Sequence, residues 1–317
     1  MNLIDRREMV AAKMIVAVLF CSGVCQTAAA YQMNVFTTGN NQFLGDATDL
    51  HHFDGSGPQE IRWDIADTKG GISIATDNSS LFVAESSGAI NRYDRQGNFL
   101  GEYADVSAIA GLSPSNQRIE SDSVGNIYSV FGGLDSTART SFRLDPAGTV
   151  SATFAHPDLV FPRGIDANAN GDVFILNGAR KGVGNRLFKF DATGKYLDNF
   201  ELPSVVDPSD IAINESTNEL FVSDEKAKSI FIYDLASGSP VLTHTLPVLG
   251  RAIDVFVEQT SGRVFGTMFG AGQDDKGLFI NANGFEVSRD GSLVNTYTED
   301  ADPRYQTVYG IVAIPVH

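Results

Sequence analysis

Residues 164–175 read Gly-Ile-Asp-Ala-Asn-Ala-Asn-Gly-Asp-Val-Phe-Ile, and residues 187–197 read Leu-Phe-Lys-Phe-Asp-Ala-Thr-Gly-Lys-Tyr-Leu. Each half is a short apolar segment of period two, a turn of Gly, Asn and Asp, and a second apolar segment, which is the chemistry of antiparallel hairpins. The arrangement recurs along the chain. An apolar residue followed by Asp, with Gly three or four places on, stands at Phe53-Asp54, Tyr93-Asp94, Leu144-Asp145, Phe190-Asp191 and Tyr233-Asp234, and Arg289-Asp290-Gly291 is a degenerate copy. These aspartates are 40, 51, 46, 43 and 56 residues apart, the period of four-stranded blades and not of helical repeats.

Outward from that stretch, six units span about 33–64, 72–103, 119–154, 163–200, 209–246 and 252–298. The first is recovered by aligning Met33–Trp63 on Ile72–Tyr103. No stretch beyond residue 30 keeps a 3.6-residue apolar period over three turns, so the chain is read as all-β. Four-stranded antiparallel units repeated radially make a β-propeller, and the surplus segment Val308–Ile314 suits a C-terminal strand that closes the ring in the first blade. Six blades is the count adopted, with seven as the alternative.

The unit Gly164–Leu197, and its neighbour Asp210–Asp234, resemble the NHL repeat of six-bladed propellers in the TolB-like superfamily, of a secreted bacterial type. The resemblance extends over the chain from residue 31 and is sharpest in blades two, four and five. It implies a single propeller domain over 31–317. Such proteins range from protein- and RNA-binding modules to lyases and lactonase-like enzymes, so function has to come from a site.

The N-terminus reads as a targeting segment. Arg6, Arg7 and Lys13 precede an apolar run from Met14 to Cys25, and Ala28, Ala29 and Ala30 follow, which is the order of a secretory signal over 1–30. A periplasmic or extracellular location follows. Removing this segment takes away both cysteines and leaves a charge of −17 in place of −16. The 43% hydrophobic content excludes a disordered chain, and the acidity makes nucleic acid and anionic membrane poor partners. No later stretch is long and apolar enough to span a bilayer.

Candidate site residues fall into three groups. The start of each inner strand points at the central channel: glycine stands there at Gly71, Gly164 and Gly310, but Arg118, Asp210 and Ala252 take that place in blades three, five and six. Arg118, Arg163 and Arg251 near one channel mouth, with Tyr309 beside them, suit a small anionic ligand held by forked, charge-assisted bonds, with Asp210 holding one guanidinium. The same arginines can instead pair with acidic loops at Asp207 and Asp302. Asp166-x-Asn168-x-Asn170-Gly171 spells the start of a loop for Ca2+ or another divalent ion, but Asn177 stands where the bidentate Glu is wanted, and the run also fits an ordinary hairpin turn. No resident cofactor is predicted beyond that. As acid or base, His156 and Asp210 are the candidates, and a solvated loop histidine is the other reading of His156.

Inserted loops at 132–139, 178–184 and 270–284 all fall on one face. The expected function is therefore a monomeric module that binds a protein or small anionic ligand through that face and the channel mouth. A lactonase-like hydrolase or lyase at the channel, metal-assisted around Asp210, is the alternative.

Overall fold

The Asp-x-x-Gly stretches at Asp94, Asp145 and Asp191 fold as tight turns between strands. Asp191 Oδ1 accepts the backbone N–H groups of Thr193 at 2.9 Å and Lys195 at 3.1 Å, and Gly194 adopts a φ of 92°. Asp94 and Asp145 cap their turns in the same way. In blade six the capping place belongs to Ser288, whose carbonyl accepts from Gly291 as that of Asp191 accepts from Gly194. The degenerate copy is therefore anchored two residues before Asp290.

In the computed structural model the described residues are 33–40, 49–53, 60–64, 71–85, 87–110, 117–131, 140–178, 185–269, 272–273, 279–280, 283–297 and 307–315. The 1–30 leader reading lies outside them. They form six four-stranded antiparallel sheets and a two-stranded hairpin. From the axis outward, blade two is Gly71–Thr76, Ser80–Glu85, Ala89–Asp94 and Phe99–Asp105, and blade three is Gln117–Ser121, Ile127–Phe131, Thr140–Leu144 and Val150–Ala155. Blade four runs Pro162–Ala167, Val173–Asn177, Arg186–Phe190 and Tyr196–Glu201, and blade five Pro208–Asn214, Glu219–Asp224, Ser229–Asp234 and Val241–Pro247. Blade six is Arg251–Val257, Val264–Phe269, Asn283–Val287 and Leu293–Tyr297. The fold is a six-bladed β-propeller.

Blade one differs from the internal alignment. Its inner strand is Thr307–Pro315, followed outward by Met33–Asn40, Asp49–Phe53 and Glu60–Asp64. Met33–Asn40 is thus a second strand and not a first, and the C-terminal strand supplies the missing position. Both places are buried and alternate in the same way, so the apolar pattern does not separate them. A single helical turn, Val106–Ala110, links blades two and three.

The core sits between blades. Phe154 of blade three meets Phe190 of blade four edge-on at 5.7 Å, within one buried cluster with Phe188, Ile165 and Ile175. The turns at Gly148, Gly194 and Gly291 also nest on the outer strand of the preceding blade. A Cβ on Gly194 would run into the Thr153 carbonyl, and its φ is one that L side chains avoid. Gly194→Ala is expected to cost about 2 kcal/mol or more in denaturant unfolding; a loss below about 0.5 kcal/mol, the range of an ordinary surface change, would contradict this nesting.

The three insertions join second strands to third strands, since they lie between Phe131 and Thr140, Asn177 and Arg186, and Phe269 and Asn283. Topology therefore gives them one face. Residues 132–139 and 179–184 lie outside the described residues, and the third insertion contains the small hairpin Gly272–Gln273 with Phe279–Ile280.

Candidate functional site

Six inner strands line the axis, and a one-residue bulge decides which side chains face it. Five of them carry such a bulge, skipping Ile72, Arg163, Ser209, Ile253 and Tyr309. Blade three's inner strand pairs without one. The ladder then aligns Ser73, Arg118, Gly164, Asp210, Asp254 and Gly310 opposite equivalent second-strand residues. Sequence spacing expects Gly71 and Ala252 there. Each lies two residues early, because a bulge adds a residue without advancing the partner strand. Alternation from this ring brings Glu120, Asp166 and Phe256 to the axis as well.

An inner strand is an edge, and its backbone groups need partners. Side chains of the neighbouring blade supply them. Asp166 Oδ2 accepts from Ile213 N–H at 2.6 Å, Asp254 Oδ2 from Ile311 N–H at 2.9 Å and Ser73 Oγ from Ile119 N–H at 3.2 Å. Arg118 donates to the Ile72 carbonyl at 2.8 Å. Gly164 provides the space for Asp210, since a Cβ there would lie 2.6 Å from Asp210 Oδ1.

The channel so built is acidic. Burial, and then the fields of Asp166, Asp210 and Asp254, push the Glu120 carboxyl far above its ordinary range. Burial pushes Asp166 up to about 8 despite the two N–H groups it accepts from Ile213 and Ala167. Asp210, 1% exposed, is raised by burial and by the Asp254 carboxylate to which it is hydrogen-bonded, and its Oδ1 has no partner. A proton shared between two carboxyls is the arrangement that spares the interior a second negative charge. Arg118 Nη1 stands 3.9 Å from Asp254 Oδ1 and offsets part of the remainder.

The other arginines are held at the opposite, loop-rich mouth. Arg163 Nη2 donates to Glu225 Oε1 at 2.6 Å and to Ser209 Oγ at 3.0 Å, and its guanidinium lies over Phe161. Arg251 pairs with the other oxygen of Glu225. Burial alone would raise Glu225, but Arg163, Arg251 and Ser209 hold it below the usual carboxylate range. The acid that bridges both arginines is Glu225, Asp207 adds its attraction on Arg163 as the sequence suggests, and Asp302 lies outside the described residues. Asp210 is joined to Asp254 rather than to either of them. Tyr309 sits at the bulge before Gly310 in the closing strand.

The remaining candidates separate from the axis. His156 packs at a tilt on Tyr196 at 4.4 Å and on Phe188 at 5.3 Å, and its Nδ1 accepts from Asp158 N–H, so it wedges blade three's exit against blade four's outer strands. Asp166, Asn168 and Asn170 do not converge on an ion. Asn168 Oδ1 caps the hairpin by accepting from Asn170 and Asp172 N–H, both at 3.0 Å, and Asn177 Oδ1 accepts from Phe161 N–H. Among the described residues no group of three His, Cys, Asp or Glu side chains is placed to hold a metal ion.

At the end of the channel away from the inserted loops lies a cavity of about 230 Å³, touched by all six inner strands. Its described walls carry Glu120, Asp122, Asp166, Glu215 and Glu258 and no Lys, Arg or His. Phe256 is its aromatic wall. Sequence reasoning missed Glu120, Asp254 and Glu225. Period two counted from Arg118 points to Glu120, whereas the other two follow only from the bulge and from ring contact.

No family model matches the chain, and no curated protein matches it. Solved structures do. A protein of unknown function from Bacteroides caccae superposes with a TM-score of 0.63 at 14% identity, over 89% of this chain and 99% of that one. A chain of a nidogen/laminin complex gives 0.65 at 14% identity, over 89% and 98%. A streptogramin B lyase gives 0.53 at 15% identity, over 86% and 76%. At these identities the likeness is one of fold, and it joins a protein complex and a lyase on the same scaffold. Among the described residues no helix is long and apolar enough to cross a membrane.

Proposed function

We propose that the chain is an exported propeller of the NHL type that binds a protein or small anionic ligand through its loop-rich face. The observation that carries this reading is topological. In blades one, three, four and six the second and third strands are joined by the long connections 41–48, 132–139, 178–185 and 270–282, while blades two and five close the same connection within 86–88 and 225–228. Extra length confined to one face of a rigid scaffold is where recognition usually resides. The Arg163–Glu225–Arg251 group stands at that face, and Arg251 is half exposed. Its guanidinium can take an anionic side chain at the rim of an interface.

The test replaces residues 132–139 and 179–184 by four-residue turns like 225–228 and compares affinity capture with the parent chain after both are shown to melt alike. A partner held by the parent and released by the shortened chain is expected. Capture of the same proteins by both would remove this face from the account.

A further inference from the structure

The opposite end of the channel has a chemistry of its own. Of the five acids around its cavity, Asp122 and Glu258 are committed to capping their turns. Asp166 is committed with both oxygens to backbone N–H groups. Glu215 is held by Ser123, whose Oγ lies 3.4 Å away and whose backbone N–H also acts on it. Glu120 is 8% exposed and lines the cavity, and among the described residues nothing hydrogen-bonds to its carboxyl, although the charge of Arg118 acts on it. A carboxyl group largely withdrawn from water, with no donor on it, is one whose desolvation a suitable donor in the cavity would offset.

The walls restrict what that donor is. An anion is repelled by five acids. A bare metal ion needs several ligands at short range, and the described side chains do not gather three. The ligand must therefore carry its own N–H groups and fill a space larger than the roughly 150 Å³ that encloses a benzene ring. Phe256 lines the same cavity, and an aromatic next to carboxylates is a setting that favours organic cations.

We propose that this cavity binds a small organic ammonium ion, with its N–H groups donated to Glu120 and its apolar body set against Phe256. Glu120, held neutral in the channel, releases its proton to solvent as the cation enters, and Glu215 adds a second carboxyl to the wall. The site is separate from the loop-rich face, so the two readings stand or fall independently.

The experiment titrates the full chain with benzylammonium chloride at pH 7.5 and low salt, by calorimetry and by thermal melting. Benzyl alcohol, benzoate and calcium chloride are the comparison probes. One saturable site for benzylammonium is expected, with a melting temperature that rises with its concentration, and little or no effect of the other three. Glu120→Gln should weaken the binding about tenfold or more, the worth of one charge-assisted hydrogen bond. Phe256→Leu should weaken it several-fold, and the loop-shortened chain should bind as the parent does. Should Glu120→Gln fail to melt cooperatively, Phe256→Leu decides the matter. The proposal is overturned by no saturable binding of benzylammonium, by equal binding of benzyl alcohol, by stoichiometric calcium in its place, or by full affinity in the folded variants.

Discussion

A chain ended at Gln306 is expected to lose cooperative folding altogether. The missing segment contains the inner strand of blade one, which pairs with Met33–Asn40 over eight positions. It also joins three blades. Val312 and Ile314 pack with Phe36, Leu50, Ile74 and Leu81, while Ile311 and Ala313 pack with Phe53, Phe265 and Tyr297. Burial of each large aliphatic contributes about 1.5–3 kcal/mol, and the exposed edge of Met33–Asn40 adds unpaired backbone groups. Against a total stability of about 5–15 kcal/mol, that loss is decisive. Circular dichroism on heating should show no sigmoidal transition, and a peptide of residues 307–315 added in trans should restore one. A truncated chain that melts as sharply as the parent would show that ring closure is dispensable.

Stability should also pass its maximum on the acid side, near pH 4.5, and decline toward pH 8. The folded chain keeps the Asp166 proton up to about pH 8, whereas the unfolded chain releases it near 3.8. Between those values the native state binds more protons, so unfolding becomes easier as pH rises, with a slope of up to about 1.4 kcal/mol per pH unit for each such group. Glu120 and Asp210 are raised in the same direction. Below the maximum the opposite holds: Glu225 and Glu258 are depressed in the fold, and their contribution is lost as they protonate. The decline above pH 5 should amount to several kcal/mol. Glu120→Gln leaves a neutral amide at an unbonded position, so it should match the parent at pH 5 and exceed it at pH 8. A parent melting temperature that is level from pH 5 to 8 would refute the coupled acidic channel. A cation in the cavity should restore stability most strongly at the alkaline end.

The legible parts of the molecule are those set by local chemistry. Apolar alternation and Asp-x-x-Gly turns are written within ten or twelve consecutive residues, so the strands, the hairpins and the number of blades can be read from Gly164–Leu197 and its copies. The closing strand was legible for the same reason, although its partner was not: Met33–Asn40 alternates as well in second place as in first. The net charge of −16 stops short of the site, because it counts acids in solvated turns together with those on the axis.

What the amino-acid order by itself determined is the six-fold repeat, its turn chemistry and its closure, since a period of two and a capped turn depend on near neighbours alone. What only the tertiary structure decided is which side chains meet. A single skipped residue at Ile253 carries Asp254 to the axis in place of Ala252. Ring geometry brings Glu120, Asp166, Asp210 and Asp254 together across intervals of about one blade, and sets Glu225 between Arg163 and Arg251. Bulges and blade-to-blade contacts are set by packing over the whole ring, and no short stretch of sequence encodes them.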